Sequence, residues 1–499
     1  MKFAQIRSRF LGVIISATGV SLLVQVLAFL RQVLIAAYFG ITREFDIYVM
    51  IYSLATFLVF TFANIFESVV VPHLVRRRET EGTEGARRLA AAILRLSYVL
   101  GAVASILLLA AAPLVAPIMA TGFSPEDRAR LVSLVWYFLP WTLTSLPYYA
   151  AAAAHKSAWR FTRVFVAEIV VVAVSIVVLV LWHDNIRTLP LAYAAGYGVG
   201  FVLLSIGAEL WQQLVGRLPS VRSVVRNIAE LYLANQIGNV SGVVDRHMQS
   251  FVPPGGIAAI NYSGQLVMSL GGLLTFREIF LVPLSVEADR AQRLERLLSG
   301  MVLLAVPVAG FVACFATDIV TVLFQRGRFD AAATALTAEV LRIAALSIIT
   351  GVILTPLARM FQIVDRITFT QIMYGWIAVS TFIFGYLFVL VLGWGVRGVA
   401  LMQLLSSATT CVLTAYLVSR CAIILRWRSI FGNFLFACAV AGVAILIATM
   451  AASHIEGALM RLLVGGPSYA IVFLIAYGLA RSHLATIMFG MERTEGPSL

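Results

Sequence analysis

Five arginines stand inside stretches otherwise composed for lipid: Arg31, Arg95, Arg246, Arg277 and Arg342. An arginine at mid-bilayer costs roughly 2.5–3.5 kcal/mol on insertion scales, so each needs a counter-charge, a wet cavity or a route to the interface. Arg95 and Arg342 lie near the ends of their stretches, where a long side chain snorkels to water. Arg31 and Arg246 lie in the outer halves of their stretches, and the latter sits in "VVDRH", between Asp245 and His247. Adjacent residues on a helix point about 100° apart, so Asp245 does not face Arg246 directly and one of the two looks elsewhere. Two readings stay open. Either both arginines snorkel outward, with Asp245 neutralising its neighbour, or both line a cavity and hold an anionic headgroup. Arg277, beside Glu278 in "LLTFREIFLVP", is either a third cation of that cavity or half of a pair satisfied by neighbouring helices. His247 reads as a packing residue before a proton relay.

No other chemistry competes. The sequence holds no nucleophile constellation, no phosphate-cradling glycine loop and no carboxylate pair at useful spacing. The four cysteines, Cys314, Cys411, Cys421 and Cys438, show neither C-x-x-C nor Cys/His ligand spacing, so no metal site or disulfide framework is expected. Catalysis and a cofactor are not expected either.

The elements that must position these charges follow from composition. The 499 residues are 61% hydrophobic and 12% charged, with a mean hydropathy of +0.94. A soluble chain carries about twice that charge. Apolar runs long enough to cross a hydrocarbon core of about 30 Å recur throughout. The expected fold is an all-α polytopic membrane protein with about fourteen transmembrane helices. The spans run approximately 10–38, 46–72, 89–119, 131–154, 162–182, 189–211, 228–251, 256–285, 298–323, 333–358, 367–392, 396–419, 430–452 and 459–480. The first run is too long for a cleavable signal.

The net charge of +13 is explained by topology, not by nucleic acid. With the N-terminus inside, 24 basic residues fall in inner segments and eight in outer ones, alternating loop by loop. This is the positive-inside pattern, and it puts both termini in the cytoplasm.

Landmarks recur along the chain in the same order. Arg31 precedes Asp46 by 15 residues, with Gly40 in the turn, and Arg246 precedes Asn261 by 15, with Gly255 and Gly256 in the turn. Glu67 stands five residues before Pro72 and Glu278 five before Pro283; "LVAPIMATGF" at Gly122–Phe123 matches "IVTVLFQRGRF" at Gly327–Phe329. Spans 1–6 and 7–12 therefore read as two copies of one six-helix unit. The expected domains are an N-lobe at 1–215, a C-lobe at 216–424 and two additional C-terminal spans at 425–499. An even helix count inserts both copies alike, as parallel repeats with a substrate site between lobes near mid-membrane.

"FLRQVLIAAYFGITREFDIY", "VVDRHMQSFVPPGGIAAINYSGQL" and "VLFQRGRFDAAATALTAEVLRIAALSI" resemble the MurJ/MviN family of lipid-linked glycan flippases. That family belongs to the superfamily that also holds Wzx-type polysaccharide flippases and MATE drug exporters. The resemblance covers nearly the whole chain and implies alternating access in the bacterial cytoplasmic membrane. It matches the family pattern at Arg31, Phe39-Gly40 and Asp46, and again at Asp245-Arg246, Gly255 and Asn261-Tyr262. It departs where lipid II flippases of the family carry further arginines. Gln25 stands six residues before Arg31, Phe57-Leu58-Val59-Phe60 replaces an Arg-Arg pair, and Gln265 follows the Asn-Tyr element.

The expected cargo is accordingly a polyprenyl-diphosphate-linked oligosaccharide, such as an exopolysaccharide repeat unit, with lipid II as the alternative. Arg31, Arg246 and Arg277 would hold the diphosphate; Asn261 and Gln265 would hydrogen-bond phosphate or sugar. Asp46 and Asp245 are the acidic candidates, and they are what a MATE-like cation exporter would use. A membrane-embedded glycan polymerase or ligase would need a large outer loop, and no outer loop here is long enough. Expected partners are the lipid-linked glycan, the bilayer, glycosyltransferases and a polymerase, with a coupling cation that the residues do not identify.

Overall fold

Backbone polar groups in hydrocarbon must be satisfied within their own segment, and apolar runs of this length meet that demand as helices. The computed structural model describes residues 2–206, 219–275, 290–421 and 423–479, and among them the regular structure is helical throughout, with no strand. Seventeen helices follow one another: α1 (Lys2–Phe39), α2 (Arg43–Ile65), α3 (Val71–Met119), α4 (Pro125–Leu134), α5 (Leu139–Ser157), α6 (Phe161–Leu181), α7 (Thr188–Ser205), α8 (Arg222–Gln249), α9 (Gly256–Thr275), α10 (Arg290–Cys314), α11 (Ala316–Phe324), α12 (Ala331–Ala344), α13 (Ser347–Ile363), α14 (Ile367–Gly385), α15 (Gly395–Ser419), α16 (Trp427–Ala452) and α17 (Ala458–Leu479).

Each of the fourteen apolar stretches contains helix among the described residues, although 207–211 and 276–285 lie outside them and the stretches 131–154, 298–323 and 333–358 are divided between successive helices. By length and composition, nine of the described helices qualify as spans, or ten if α12 and α13, bent by 43°, form one. Helices α2, α5, α8 and α9 fall outside the nine. Arg43, Glu44 and Asp46 open α2, His155 and Lys156 close α5, Asp245 and Arg246 lie on α8, and Asn261 and Gln265 lie on α9. Those four helices carry Asp46, Asp245, Arg246, Asn261 and Gln265 of the candidate site.

The chain forms two compact units, Met1–Ser250 and Phe251–Leu499. In the first, α6 packs along α7 and α1, and α5 packs along α3 and α7. The α6–α7 approach is close because Gly196 has no side chain: a Cβ there would lie 2.3 Å from the Val171 carbonyl oxygen. Helix α8 packs on α2 and α3, where Phe57 fills the space left by Gly242 and the Asn239 amide donates to Thr61 Oγ1 at 3.3 Å. Local chemistry sets the helix ends. Gly40 closes α1 at φ 58, and the Thr42 hydroxyl accepts the Phe45 N–H to cap α2.

In the second unit, α10 packs against α16 and α16 against α17, around a core that includes Leu298, Phe361, Val418 and Ala444. Helix α17 is also fixed to α11, where Arg461 Nε donates to Asp318 at 2.8 Å. The Gly–Phe landmarks end alike in both units. The residue after Phe123 is Ser124, whose hydroxyl accepts the Asp127 N–H to cap α4. The residue after Phe329 is Asp330, whose carboxylate accepts the Ala333 N–H to cap α12. Both phenylalanines are buried.

Candidate functional site

Arg31 lies on α1 of the first unit, eight residues and therefore about 12 Å from the end of the helix. Its Nη1 donates to Ser175 Oγ on α6 at 3.1 Å. Its guanidinium carbon lies 4.3 Å from the centre of the Tyr193 ring on α7. Its Nε is buried without a hydrogen-bond partner among the described residues. Tyr193 belongs to an aromatic cluster: its ring centre is 5.7 Å from both Tyr52 on α2 and Trp141 on α5. Tyr52 and Trp141 are stacked within 8° of parallel. The Tyr149 and Tyr197 hydroxyls meet at 2.9 Å one turn further along.

Ring faces stabilise a desolvated guanidinium by about 2 kcal/mol without neutralising it. Ser175 is likewise neutral. Its own hydroxyl proton goes to the Val172 carbonyl at 2.7 Å, so it accepts from Arg31 while held on its helix. The result is a cation whose contacts among the described residues are uncharged, with its Nε left over. Such an arrangement is suited to an anion.

Asp46 does not share that surrounding. Its side chain is fully buried, 3.8 Å from Arg43 Nη1 one turn away. Arg43 in turn donates to Asp127 at 3.0 Å and lies 3.7 Å above the Phe123 ring. This network ties the start of α2 to α4. Arg43 is its hub, and its spacing of three from Asp46 was the available signal in the sequence.

Asp245 and Arg246 are joined through a third residue. The Gln249 amide donates to Asp245 Oδ2 at 2.8 Å, and its carbonyl oxygen accepts from Arg246 Nη1 at 2.5 Å. Gln249 is buried, at 1% exposure. Two neighbours that point apart on the helix are thus bridged by the side chain three and four positions on, which faces both. His247 Nδ1 lies 2.6 Å from the Ile118 carbonyl, so that nitrogen carries the proton. With the Ser250 hydroxyl accepting the Gly122 N–H at 3.0 Å, it docks the end of α8 onto the turn after α3.

In the second unit, Asn261 and Gln265 are half-buried on α9, beside the fully buried Tyr262. Tyr262 packs on Phe324 and Phe329 at 5.4 and 5.6 Å. Arg277 lies outside the described residues. At the positions where the resemblance expects further arginines, Gln25 is exposed and Gln265 half-buried, and the Phe57 ring fills the groove at Gly242.

Sequence reasoning named Arg31 but not its cradle. Ser175 is 144 residues away, and the tyrosines come from α2, α5 and α7. A usable signal was present in the repeated four-residue spacing of Tyr48 with Tyr52 and of Tyr193 with Tyr197.

Comparison with known proteins agrees with this architecture. The family described as "Lipid II flippase MurJ" matches residues 35–465. Among solved structures, a lipid II flippase MurJ in an inward closed conformation superposes with a TM-score of 0.77 at 16% identity, covering 94% of this chain and all of that one. An inward-facing multidrug resistance MATE family transporter of the MOP superfamily follows at 0.58 and 16% identity, over 80% of this chain and 94% of its own. A MOP superfamily transporter from Pyrococcus furiosus matches at 0.50 and 16%, over 81% and 92%. At these identities the structures show a shared fold. No significant match was found among curated protein sequences. With the family match spanning most of its length, and with helices apolar enough to cross a membrane repeatedly, this chain is a multi-pass membrane transporter that belongs to the MurJ flippase family.

Proposed function

We propose that the protein flips a polyprenyl-diphosphate-linked oligosaccharide, of the exopolysaccharide repeat-unit kind, from the inner to the outer leaflet of the bacterial cytoplasmic membrane. The observation that carries the reading is Arg31: a guanidinium held by Ser175 and the Tyr193 face, with its Nε unused. Arg31 and Arg246 contact the diphosphate, with Arg277 as a third cation. Asn261 and Gln265 hydrogen-bond the sugar or phosphate. Asp245 orients Arg246 through Gln249, and Asp46 holds Arg43 at the start of α2. The membrane potential assists export of an anion by roughly 2.3 kcal/mol per charge per 100 mV.

The narrower choice of cargo rests on the missing cations. Phe57 occupies space against Gly242 where the lipid II pattern places an arginine, and Gln25 and Gln265 are neutral. A lining with fewer charges suits a headgroup whose anionic character resides in the diphosphate alone. Lipid II is the second reading, favoured by the family description. Glycosyltransferases and a polymerase are the expected partners.

Complementation separates the two. Expression in cells depleted of their lipid II flippase should leave peptidoglycan synthesis unrescued, while deletion in the native host should remove surface polysaccharide and leave the lipid-linked unit on the inner leaflet. Rescue of growth in the depleted cells would assign lipid II instead.

A further inference from the structure

A second group of cations in the first unit has no part in this reading. It lies at the arginine-rich end that the charge bias assigns to the cytoplasm. There a cavity of about 260 Å³ is lined by Arg78, Thr83, Arg87, His155, Ser157 and Arg160, with small alanines between them.

Three local features build it. Gly82 (φ 73, ψ −170) breaks α3, so a new helical segment begins at Thr83 on the rim. The turn after α5 reverses at Trp159, which holds φ 59, and the Arg160 N–H bonds the His155 carbonyl at 3.0 Å. Arg160 thereby reaches the same opening. Arg78 Nη1 donates to the Ser157 carbonyl at 2.6 Å, tying α3 to the end of α5. Its Nε is buried without a partner among the described residues. His155 is committed to the Leu204 carbonyl at 2.7 Å and serves as wall.

The nearby carboxylates have basic partners of their own. Glu81 pairs with Arg77 at 2.8 Å, Glu84 with Arg88 at 3.3 Å and Glu67 with Lys156 at 3.1 Å. None of them lines the cavity. Three guanidinium groups around one small space, without a carboxylate in its wall, select an anion. Their planar forks match the oxygens of phosphate.

The source of the phosphate follows from position. Trp159, next to Arg160, is 75% exposed. An exposed tryptophan at the end of an apolar helix bundle settles at headgroup level, where lipid phosphates lie. The volume falls below the roughly 300–1,000 Å³ of sites that enclose a drug-sized ligand, so a headgroup phosphate fits and a glycan does not. We propose that this cavity is a phosphate site, occupied by an anionic phospholipid of the surrounding leaflet and separate from the export path.

The test measures binding rather than transport, so its failure leaves the flippase reading standing. The full chain is reconstituted in nanodiscs of phosphatidylcholine, with or without phosphatidylglycerol. Thermal unfolding and native mass spectrometry report the effect of the lipid and its retention. Phosphatidylglycerol should raise the unfolding temperature of the wild type, with one such lipid retained. R87Q/R160Q should lose both the shift and the retained lipid, each arginine contributing about tenfold in affinity. R87K/R160K, which keeps the charge, should hold part of the shift. Should the double variant not fold, R87Q and R160Q singly give the same comparison. Inorganic phosphate added to phosphatidylcholine discs is the second arm. A shift there that R87Q/R160Q loses keeps the phosphate site and moves its source to the soluble phase. Equal shifts in wild type and R87Q/R160Q, in both arms, overturn the proposal.

Discussion

At the scale of single residues, the chemistry turns on how two arginines are held. Arg31 is held by a ring face and a hydroxyl, Arg246 by an amide that also holds Asp245. The first arrangement predicts a division between variants of Tyr193. Tyr193→Phe keeps the face and should retain most export, whereas Tyr193→Leu removes about 2 kcal/mol of cation–π stabilisation and should cut export about thirtyfold; quantified surface glycan, corrected for expression, decides. Arg31→Lys is not conservative here, since a point charge neither stacks as a plane nor reaches Ser175 with a fork, and it should fall nearer to Arg31→Ala than to wild type. For the second arrangement, Gln249→Leu deletes two buried hydrogen bonds at once. Thermal unfolding in detergent should register a loss of about 2 kcal/mol, and Asp245→Asn in the same background should add little, because the pair has already been uncoupled. Arg31, Asp245 and Arg246 were visible in the sequence as charges out of place. Their partners were not, for two different reasons. Gln249 lay within one turn and was passed over because an amide in a polar stretch draws no notice, whereas Ser175 and Tyr193 become neighbours of Arg31 only once α1, α6 and α7 have packed.

At the scale of elements, glycine decides how closely the supporting helices approach. A Cβ on Gly196 would meet the Val171 carbonyl oxygen at 2.3 Å, a backbone atom that cannot turn aside. Gly196→Ala should therefore push α6 from α7, separate Ser175 from Tyr193, and lower both the unfolding temperature and export. Gly242→Ala meets only the tip of the Phe57 ring and should be tolerated much better, which a side-by-side melt of the two variants checks. Helix positions were legible because apolar length and polar interruption are local properties. The break at Gly82 and the bend between α12 and α13 were not, since a glycine between charged residues reads equally well as an ordinary loop.

At the scale of the whole molecule, the alternating arginine content of the loops makes an orientation prediction. Reporter fusions after residues 80, 158 and 365 should be active in the cytoplasm, and fusions after 42, 184 and 394 outside it; a reversed pattern would invert the direction of export assigned to the carrier. The two units are each built with a Gly–Phe turn followed by a side-chain cap, Ser124 in one and Asp330 in the other. Exchanging those caps, as Ser124→Asp and Asp330→Ser, should change stability by only a few tenths of a kcal/mol, since both residue types cap well. Replacing either by Ala should cost about 1 kcal/mol in a chemical melt. The order of the Gly–Phe landmarks was readable in the sequence; the matching caps were not, because the two residue types differ while their task is the same.

The backbone contact at Gly196 has a mechanical consequence. Helices that touch through main-chain atoms have no compliant side-chain layer between them in which to slide, so α6 and α7 travel as one block. Ser175 and Tyr193 then keep their spacing at every stage of turnover, and the grip on Arg31 is carried along without being opened. A covalent cross-link stapling α6 to α7 should accordingly leave export running at its normal speed.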